Sequence, residues 1–197
     1  MSITGLRRVF LVLGLAVLPG QAVAQSAPLP TLEMLETGVA AGEAGAQFAL
    51  AERYHRGTGV LQNFATAATL YLQAAKQGHA GAQNKLGQYH HTGLGVAQNQ
   101  TAALQWFEAA AEQGNAQHIF DLAKALELGA DGSNDAARAA KIYQQAASLG
   151  HAEASVNLGV LYQNGTGVAQ DFTRAFELYG GPAAEDHARA QNNLGLL

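Results

Sequence analysis

The chain has 197 residues, is 48% hydrophobic and 7% aromatic, carries a formal net charge of −4 at pH 7 and contains no cysteine. Its hydrophobic content excludes an intrinsically disordered chain, and its acidic balance disfavours nucleic acid and anionic membrane surfaces as partners. Because there is no cysteine, stability must come from packing, and alanine, which lets helices approach closely, supplies much of the apolar content.

The N-terminal segment has the pattern of a cleavable export signal. Arg7 and Arg8 precede an apolar run at 9–18, and the small-residue pattern at 22–24 is typical of a cleavage site. A membrane-spanning helix needs about 20 apolar residues, so the run is too short for an anchor. We predict a signal peptide at 1–24, cleavage after Ala24 and a periplasmic or secreted protein. The apolar run favours the general secretory route, whereas the paired arginines resemble a twin-arginine signal.

From residue 44 onward, the sequence repeats with a period of 36 residues. The recurring positions include Ala44, Ala80, Ala116, Ala152 and Ala188, and Leu50, Leu86, Leu122, Leu158 and Leu194. A fixed period of this size is typical of solenoids, in which each unit buries its apolar face against its neighbours. We predict a flexible leader at 25–30, a half-repeat helix at 31–43, full repeats at 44–79, 80–115, 116–151 and 152–187, and a partial repeat at 188–197.

Each repeat is predicted to form two helices joined by a turn. Ala46, Leu50 and Tyr54 are spaced by four residues, which places them on one face of a first helix. A glycine suited to a left-handed C-terminal position ends this helix, and an Asn or Asp that can cap the free amides begins the second. These boundary residues are Gly57, Gly93, Gly129 and Gly165, and Asn63, Asn99, Asp135 and Asp171.

Two segments depart from this pattern. In the third repeat, residues 129–132 replace the Gly-x-Gly-Val turn found at the same position in the other repeats. In the fourth, Gly180-Gly181-Pro182 is predicted to break the second helix, because glycine and proline both oppose helix continuation.

The recurring residues closely resemble the Sel1-like repeat, a relative of the tetratricopeptide repeat. The fourth unit matches the pattern at Leu158, Gly159, Tyr162, Gly165, Gly167, Val168, Asp171 and Ala175. The resemblance covers 31–197 and implies an all-α, right-handed superhelical solenoid of helix-turn-helix repeats. It also implies an adaptor that binds a protein or peptide partner, and exported bacterial members of the family regulate envelope signalling or polysaccharide production.

An enzymatic alternative comes from another branch of the same family. Small secreted relatives are linked to penicillin binding and weak β-lactamase activity, but their repeats are bridged by disulfides, which this chain cannot form. We therefore predict a protein that is not an enzyme and needs no cofactor. A secreted penicillin-interacting hydrolase is the alternative.

Several patterns that suggest a site have a simpler structural explanation. The paired glycines at 57–59 follow a helix rather than a strand, so they indicate a turn and not a phosphate-binding loop. His55 and His91 share one repeat position, which places them roughly 10 Å apart on neighbouring helices, too far for one metal ion. Residues 131–135 begin like a calcium loop, but Ala136 stands where that loop needs glycine. We predict no catalytic, cofactor or metal site.

The resemblance to the tetratricopeptide repeat implies that particular first-helix positions line a concave groove. The predicted partner-binding residues are Phe48, Glu52, His55, Arg56, Asn84, Gln88, His91, Phe120, Lys124, Glu127, Val156 and Gln163. Two aromatic rings among charged and hydrogen-bonding groups suit a peptide strand, although some of these positions are expected to be solvated surface. A second hypothesis is self-association through the C-terminal helix, because Leu194, Leu196 and Leu197 lack the polar face of a solenoid cap.

Overall fold

The computed structural model describes residues 30–129, 135–184 and 187–196. The predicted signal peptide and almost all of the predicted leader lie outside the described residues, as do Leu197 and most of the segment that begins like a calcium loop. The described residues form ten α-helices. They are α1 (Leu32–Ala40), α2 (Ala44–Arg56), α3 (Phe64–Lys76), α4 (Ala80–Thr92), α5 (Gln100–Ala111), α6 (Ala116–Glu127), α7 (Ala136–Ser148), α8 (Ala152–Asn164), α9 (Phe172–Ala184) and α10 (Ala188–Leu194).

Each helix packs against the next one along the chain, so the molecule is a row of helix pairs. The pairs α2/α3, α4/α5, α6/α7 and α8/α9 each span one 36-residue period, and the first helices α4 and α6 also contact each other across a repeat junction. No strand occurs in the ranges that the structure describes. This arrangement confirms the prediction of an all-α repeat fold. None of the described helices has both the length and the apolar character needed to cross a bilayer.

The helix boundaries follow from capping. Asn63 begins α3 by accepting a hydrogen bond from the Thr66 amide at 3.0 Å, and Asp171 accepts from the Arg174 amide at 2.9 Å before α9. His79 caps α4 in the same way, because its Nδ1 accepts from the Ala82 amide at 3.2 Å. Caps of this kind satisfy amides that have no partner within the helix, which is why the second helices start at the predicted Asx positions.

The second glycine of the turn allows the backbones of neighbouring repeats to come into close contact, because it has no side chain. A Cβ at Gly95 would lie 2.4 Å from the carbonyl carbon of Phe64, and one at Gly167 would lie 2.3 Å from that of Ala136. Both glycines also have positive φ, of 68° and 71°. The turn of one repeat therefore rests directly on the first turn of the second helix in the preceding repeat.

The core is built on aromatic rings that recur once in each repeat. Tyr71, Tyr143 and Tyr179 are fully buried at the same register, and Phe107 takes this position in the second repeat. The Phe107 ring lies against Gly87, where a Cβ would come within 2.9 Å of the ring. Each of three clusters of buried residues along the chain contains at least one of these rings.

The prediction that Gly180-Gly181-Pro182 breaks the second helix of the fourth repeat is wrong. Helix α9 runs through all three residues and ends at Ala184, so it has the same 13-residue length as α3 and α7. Pro182 is buried, and α9 packs against both α8 and α10. Packing on two sides outweighs the local cost of a missing amide near the end of the helix.

Candidate functional site

Two cavities open on the face formed by the first helices of the first three repeats. The N-terminal cavity has a volume of about 510 Å³ and lies between α2 and α4, with Pro30 and Leu35 at its edge. The central cavity has a volume of about 310 Å³ and lies between α4 and α6. We call the two neighbouring cavities together the groove.

Six of the predicted partner-binding residues line the groove. Phe48, Glu52 and Arg56 lie in the N-terminal cavity, and Gln88, His91 and Lys124 lie in the central cavity. The N-terminal cavity therefore combines an aromatic ring with charges of both signs. The central cavity combines hydrogen-bonding groups with one cation.

The other six predicted residues make contacts within the protein. His55 Nδ1 hydrogen-bonds with the Tyr89 hydroxyl at 2.8 Å, and Asn84 donates to Asp121 at 2.7 Å. Phe120 is 5% exposed and stacks on His151, with their ring centroids 4.4 Å apart. The remaining three are Glu127, which accepts from Tyr143 at 2.6 Å, Gln163, which accepts from Tyr179 at 2.7 Å, and Val156, which is fully buried. Asn84, Phe120 and Val156 thus present almost no surface to a partner.

Several residues that line the groove were not predicted from the sequence, and four of them contribute a charged or exposed apolar side chain. Arg53 and Lys85 line the N-terminal cavity, and Asp121 and Leu128 line the central one. Lys85 and Asp121 are 36 residues apart and so share one register position. A charged residue at the same position of two successive first helices is a signal that could have found both.

Buried tyrosines fix the carboxylates beside the groove. Tyr71 donates to Glu52 Oε1 at 2.5 Å, and burial, followed by this hydrogen bond and the charge of Glu52, raises the pKa of Tyr71 above its ordinary value. Burial and the Glu52 charge also raise the pKa of Tyr89 to about 12. The hydroxyls of Tyr71 and Tyr89 therefore remain neutral near pH 7, and Tyr71 continues to donate to Glu52 at that pH.

The central cavity has an apolar floor because Phe107 lacks the hydroxyl that tyrosine supplies in the other repeats. His91, at the register of Glu127 and Gln163, therefore has no tyrosine donor and pairs through Nδ1 with Gln100 Oε1 at 2.8 Å. Leu128 adds an exposed apolar side chain at the edge of the same cavity. This cavity can accept an apolar side chain between polar walls.

The described parts of the chain contain no group of three or more acidic or histidine side chains placed to hold a metal ion. At the C-terminal end, Leu196 is exposed and Leu194 is half-buried. Self-association through this end stays a prediction.

A histidine behind the groove occupies a position that is alanine in the other repeats. His118 occupies the register of Ala46, Ala82 and Ala154, and its Nδ1 is buried without a hydrogen-bond partner in the described structure. Burial lowers the pKa of His118 and outweighs the opposing attraction of Asp121.

We expect His118→Ala to reduce the loss of stability on acidification. In the unfolded chain a histidine has a pKa of about 6.5, so below that pH the unfolded state binds a proton that the folded state resists. The contribution of neutral His118 to the free energy of unfolding is thus fully present above this pH and is lost as the pH falls below it. Thermal unfolding midpoints measured near neutral pH and at about pH 5 should differ less for the variant than for the wild type. An equal reduction in His91→Ala, which removes a histidine at the cavity, would contradict the explanation.

Comparisons with known proteins agree with the repeat pattern. The profile of the Sel1 repeat family matches residues 44–79, 80–115, 119–151 and 152–180. Among solved structures, a Sel1 repeat protein from Oxalobacter formigenes is 32% identical with a TM-score of 0.74, and the match covers 82% of this chain and 64% of that one. No curated protein matches the sequence.

Two solved structures from Pseudomonas aeruginosa are more distant. The immunity protein Pa5087 is 22% identical with a TM-score of 0.53, and the match covers 78% of this chain and 57% of that one. The protein PA5086 is 25% identical with a TM-score of 0.52, over 78% of this chain and 58% of that one. The chain spans less than two thirds of the length of each of the three structures.

Proposed function

This chain belongs to the Sel1 repeat family, and on that basis we propose that it is an exported adaptor that binds a protein or peptide partner in the groove. The role is binding rather than catalysis. The periplasmic or secreted location rests on the export-signal pattern of residues 1–24. An envelope signalling or polysaccharide system is the setting in which we place the partner.

The observation that supports this proposal most directly is the pair of neighbouring cavities between successive first helices. Their walls carry Glu52, Arg56, Asp121 and Lys124, and their floors carry aromatic rings such as Phe107. A peptide strand presents apolar side chains together with backbone donors and acceptors, so it can use both kinds of surface at once. The two cavities follow one another from repeat to repeat, as an extended ligand requires.

We expect Gln88→Ala combined with Lys124→Glu to abolish capture of the partner. The full chain would be expressed with its own N-terminal segment in its native host, cross-linked, and recovered from the envelope and the medium, with bound proteins identified by mass spectrometry. These two residues line the central cavity, and within the described residues their side chains make no hydrogen bond to another helix. Phe120 is not used, because its buried ring stacks on His151 and its removal would disturb folding.

Lys141→Glu is the matched control. Lys141 is exposed on α7, a second helix outside the groove, and the substitution makes the same change of charge. Undiminished capture by the central-cavity variant, or equal loss in the control, would refute the assignment of the groove.

A further inference from the structure

The N-terminal cavity is cationic although the whole chain is acidic. Arg53, Arg56 and Lys85 line it together with a single carboxylate, Glu52. The formal charge of the chain is −4. Three cations gathered around one cavity in such a chain create a local reversal of the surface potential.

Most of the hydrogen-bonding capacity of these cations is unused. Glu52 is already occupied, since Oε1 accepts from Tyr71 and Oε2 accepts from Arg56. Arg53 donates from Nη2 to the carbonyl oxygen of Pro30 at 2.6 Å. Lys85 is half-buried and has no hydrogen bond or ion pair within the described residues. A guanidinium carries five donors and an ammonium three, so each group can still receive an anion.

The next cavity along the solenoid shows that the fold does not require these cations. One period later, Tyr89 takes the register of Arg53 and Thr92 that of Arg56. Asp121 takes the register of Lys85 and thus reverses its charge. Successive first helices therefore pack together with and without the positive groups, so this packing does not account for the concentration of cations at one cavity.

The apolar lining indicates what kind of anion fits. Phe48 is half-buried, stacks on His79 with ring centroids 4.4 Å apart and still borders the cavity. Leu35 and Ala49 extend this apolar surface. A volume of about 510 Å³ exceeds what a small inorganic anion fills, and it accommodates a side chain together with neighbouring backbone.

We propose that the N-terminal cavity binds an acidic peptide segment of a protein partner, with its carboxylates on Arg53, Arg56 and Lys85 and an apolar side chain against Phe48. This inference rests on the proposed function and specifies the chemistry of the partner. Arginine suits this task because its planar donors match a carboxylate in pairs, whereas Lys85 acts as a point charge.

The test is a fluorescence anisotropy titration of the protein, purified as the cell produces it from the full chain. The probe is a short fluorescein-labelled peptide in which glutamate and leucine alternate, and its partner probe has glutamine in place of glutamate. We expect saturable binding of the acidic probe that weakens with added salt, and none of the glutamine probe. Arg56→Ala combined with Lys85→Ala should weaken binding at least about tenfold, because each removes a charge-assisted contact.

Lys141→Ala is the control, since it removes an exposed cation from α7, outside the groove, and should leave the affinity for the acidic probe unchanged. Circular dichroism and thermal unfolding check that each variant folds, and Lys85, which has no partner among the described residues, should be dispensable for folding. Equal binding of the two probes, an unaltered affinity in the double variant, absence of saturable binding, or full displacement by inorganic phosphate would each overturn the inference.

The capture experiment separates failure of this inference from failure of the proposed function. If Arg56→Ala with Lys85→Ala retains the partner while the central-cavity variant loses it, the groove binds a protein and the cationic cavity has no part in it. If neither variant changes capture, the groove itself is the wrong site.

Discussion

Gly95→Ala should destabilise the protein by about 3 kcal/mol or more, which exceeds the cost of an alanine at a left-handed turn position without a steric clash. Gly95 has a φ of 68°, in the left-handed region that costs an L-residue about 1–2 kcal/mol. The new Cβ would also lie 2.4 Å from the carbonyl carbon and oxygen of Phe64 and 2.8 Å from the amide nitrogen of Ala65. Those atoms belong to the helix backbone, which cannot change rotamer as a side chain can. The first and second repeats must therefore move apart to relieve the clash.

The matched control is Gly78→Ala. Gly78 has a φ of 84°, but a Cβ there would meet nothing within 4 Å, so only the conformational cost of about 1–2 kcal/mol applies. Urea denaturation followed by far-UV circular dichroism would give both free energies of unfolding. Gly167→Ala should repeat the larger effect at the last full junction, where the clash is with Ala136. Equal losses at Gly95 and Gly78 would show that the junction does not hold the repeats together.

The helices could be predicted from sequence because their limits depend on short-range physics. An Asx side chain such as Asn63 meets an amide three residues later, and a glycine such as Gly57 ends a helix in the left-handed conformation whatever lies around it. The exception is the segment around Pro182, where local propensity predicted a break. There α8 and α10 hold α9 in place from two sides, and a rule that considers only neighbouring residues cannot include them.

The groove could be predicted only in part, because a register identifies a helix face but not what covers it. Phe48 and Phe120 occupy equivalent positions, and each stacks on the histidine that caps the next repeat, His79 or His151. Phe48 nevertheless keeps one edge on a cavity, whereas Phe120 is 5% exposed. The pairing of each phenylalanine with a histidine 31 residues later is visible in the sequence. How far each phenylalanine ring is exposed, however, depends on how whole repeats pack together.

Lys85 was missed for a related reason. The predicted groove positions were carried over from the tetratricopeptide pattern, and the position shared by Lys85 and Asp121 is not among them. In this chain that position faces the cavity between successive first helices. Which positions face such a cavity depends on the distance between neighbouring first helices. The repeat period in the sequence gives no information about that distance.

Tyr143→Phe should destabilise the protein by about 2 kcal/mol, because the hydroxyl joins three helices of two repeats. Tyr143 on α7 is fully buried, donates to Glu127 Oε2 on α6 at 2.6 Å and accepts from Asn157 Nδ2 on α8 at 3.2 Å. Burial, followed by the hydrogen bond and charge of Glu127, raises the pKa of Tyr143 above its ordinary value, so the hydroxyl stays a neutral donor. Removing it leaves a carboxylate and an amide without this partner.

Tyr54→Phe is the control for Tyr143→Phe. Tyr54 is half-buried and its hydroxyl has no hydrogen-bond partner in the described ranges, so its removal should change the free energy of unfolding by less than about 0.5 kcal/mol. A double-mutant cycle with Glu127→Ala, which removes the acceptor, would then isolate the bond itself, and we expect a coupling of about 1 kcal/mol. Zero coupling, with Tyr143→Phe no more costly than Tyr54→Phe, would mean that ring packing alone joins the third and fourth repeats. The expected loss of stability in Tyr143→Phe would instead show that the hydroxyl stabilises that junction. Glu127, which was predicted to bind the partner, would then have a structural role as the acceptor of this hydrogen bond.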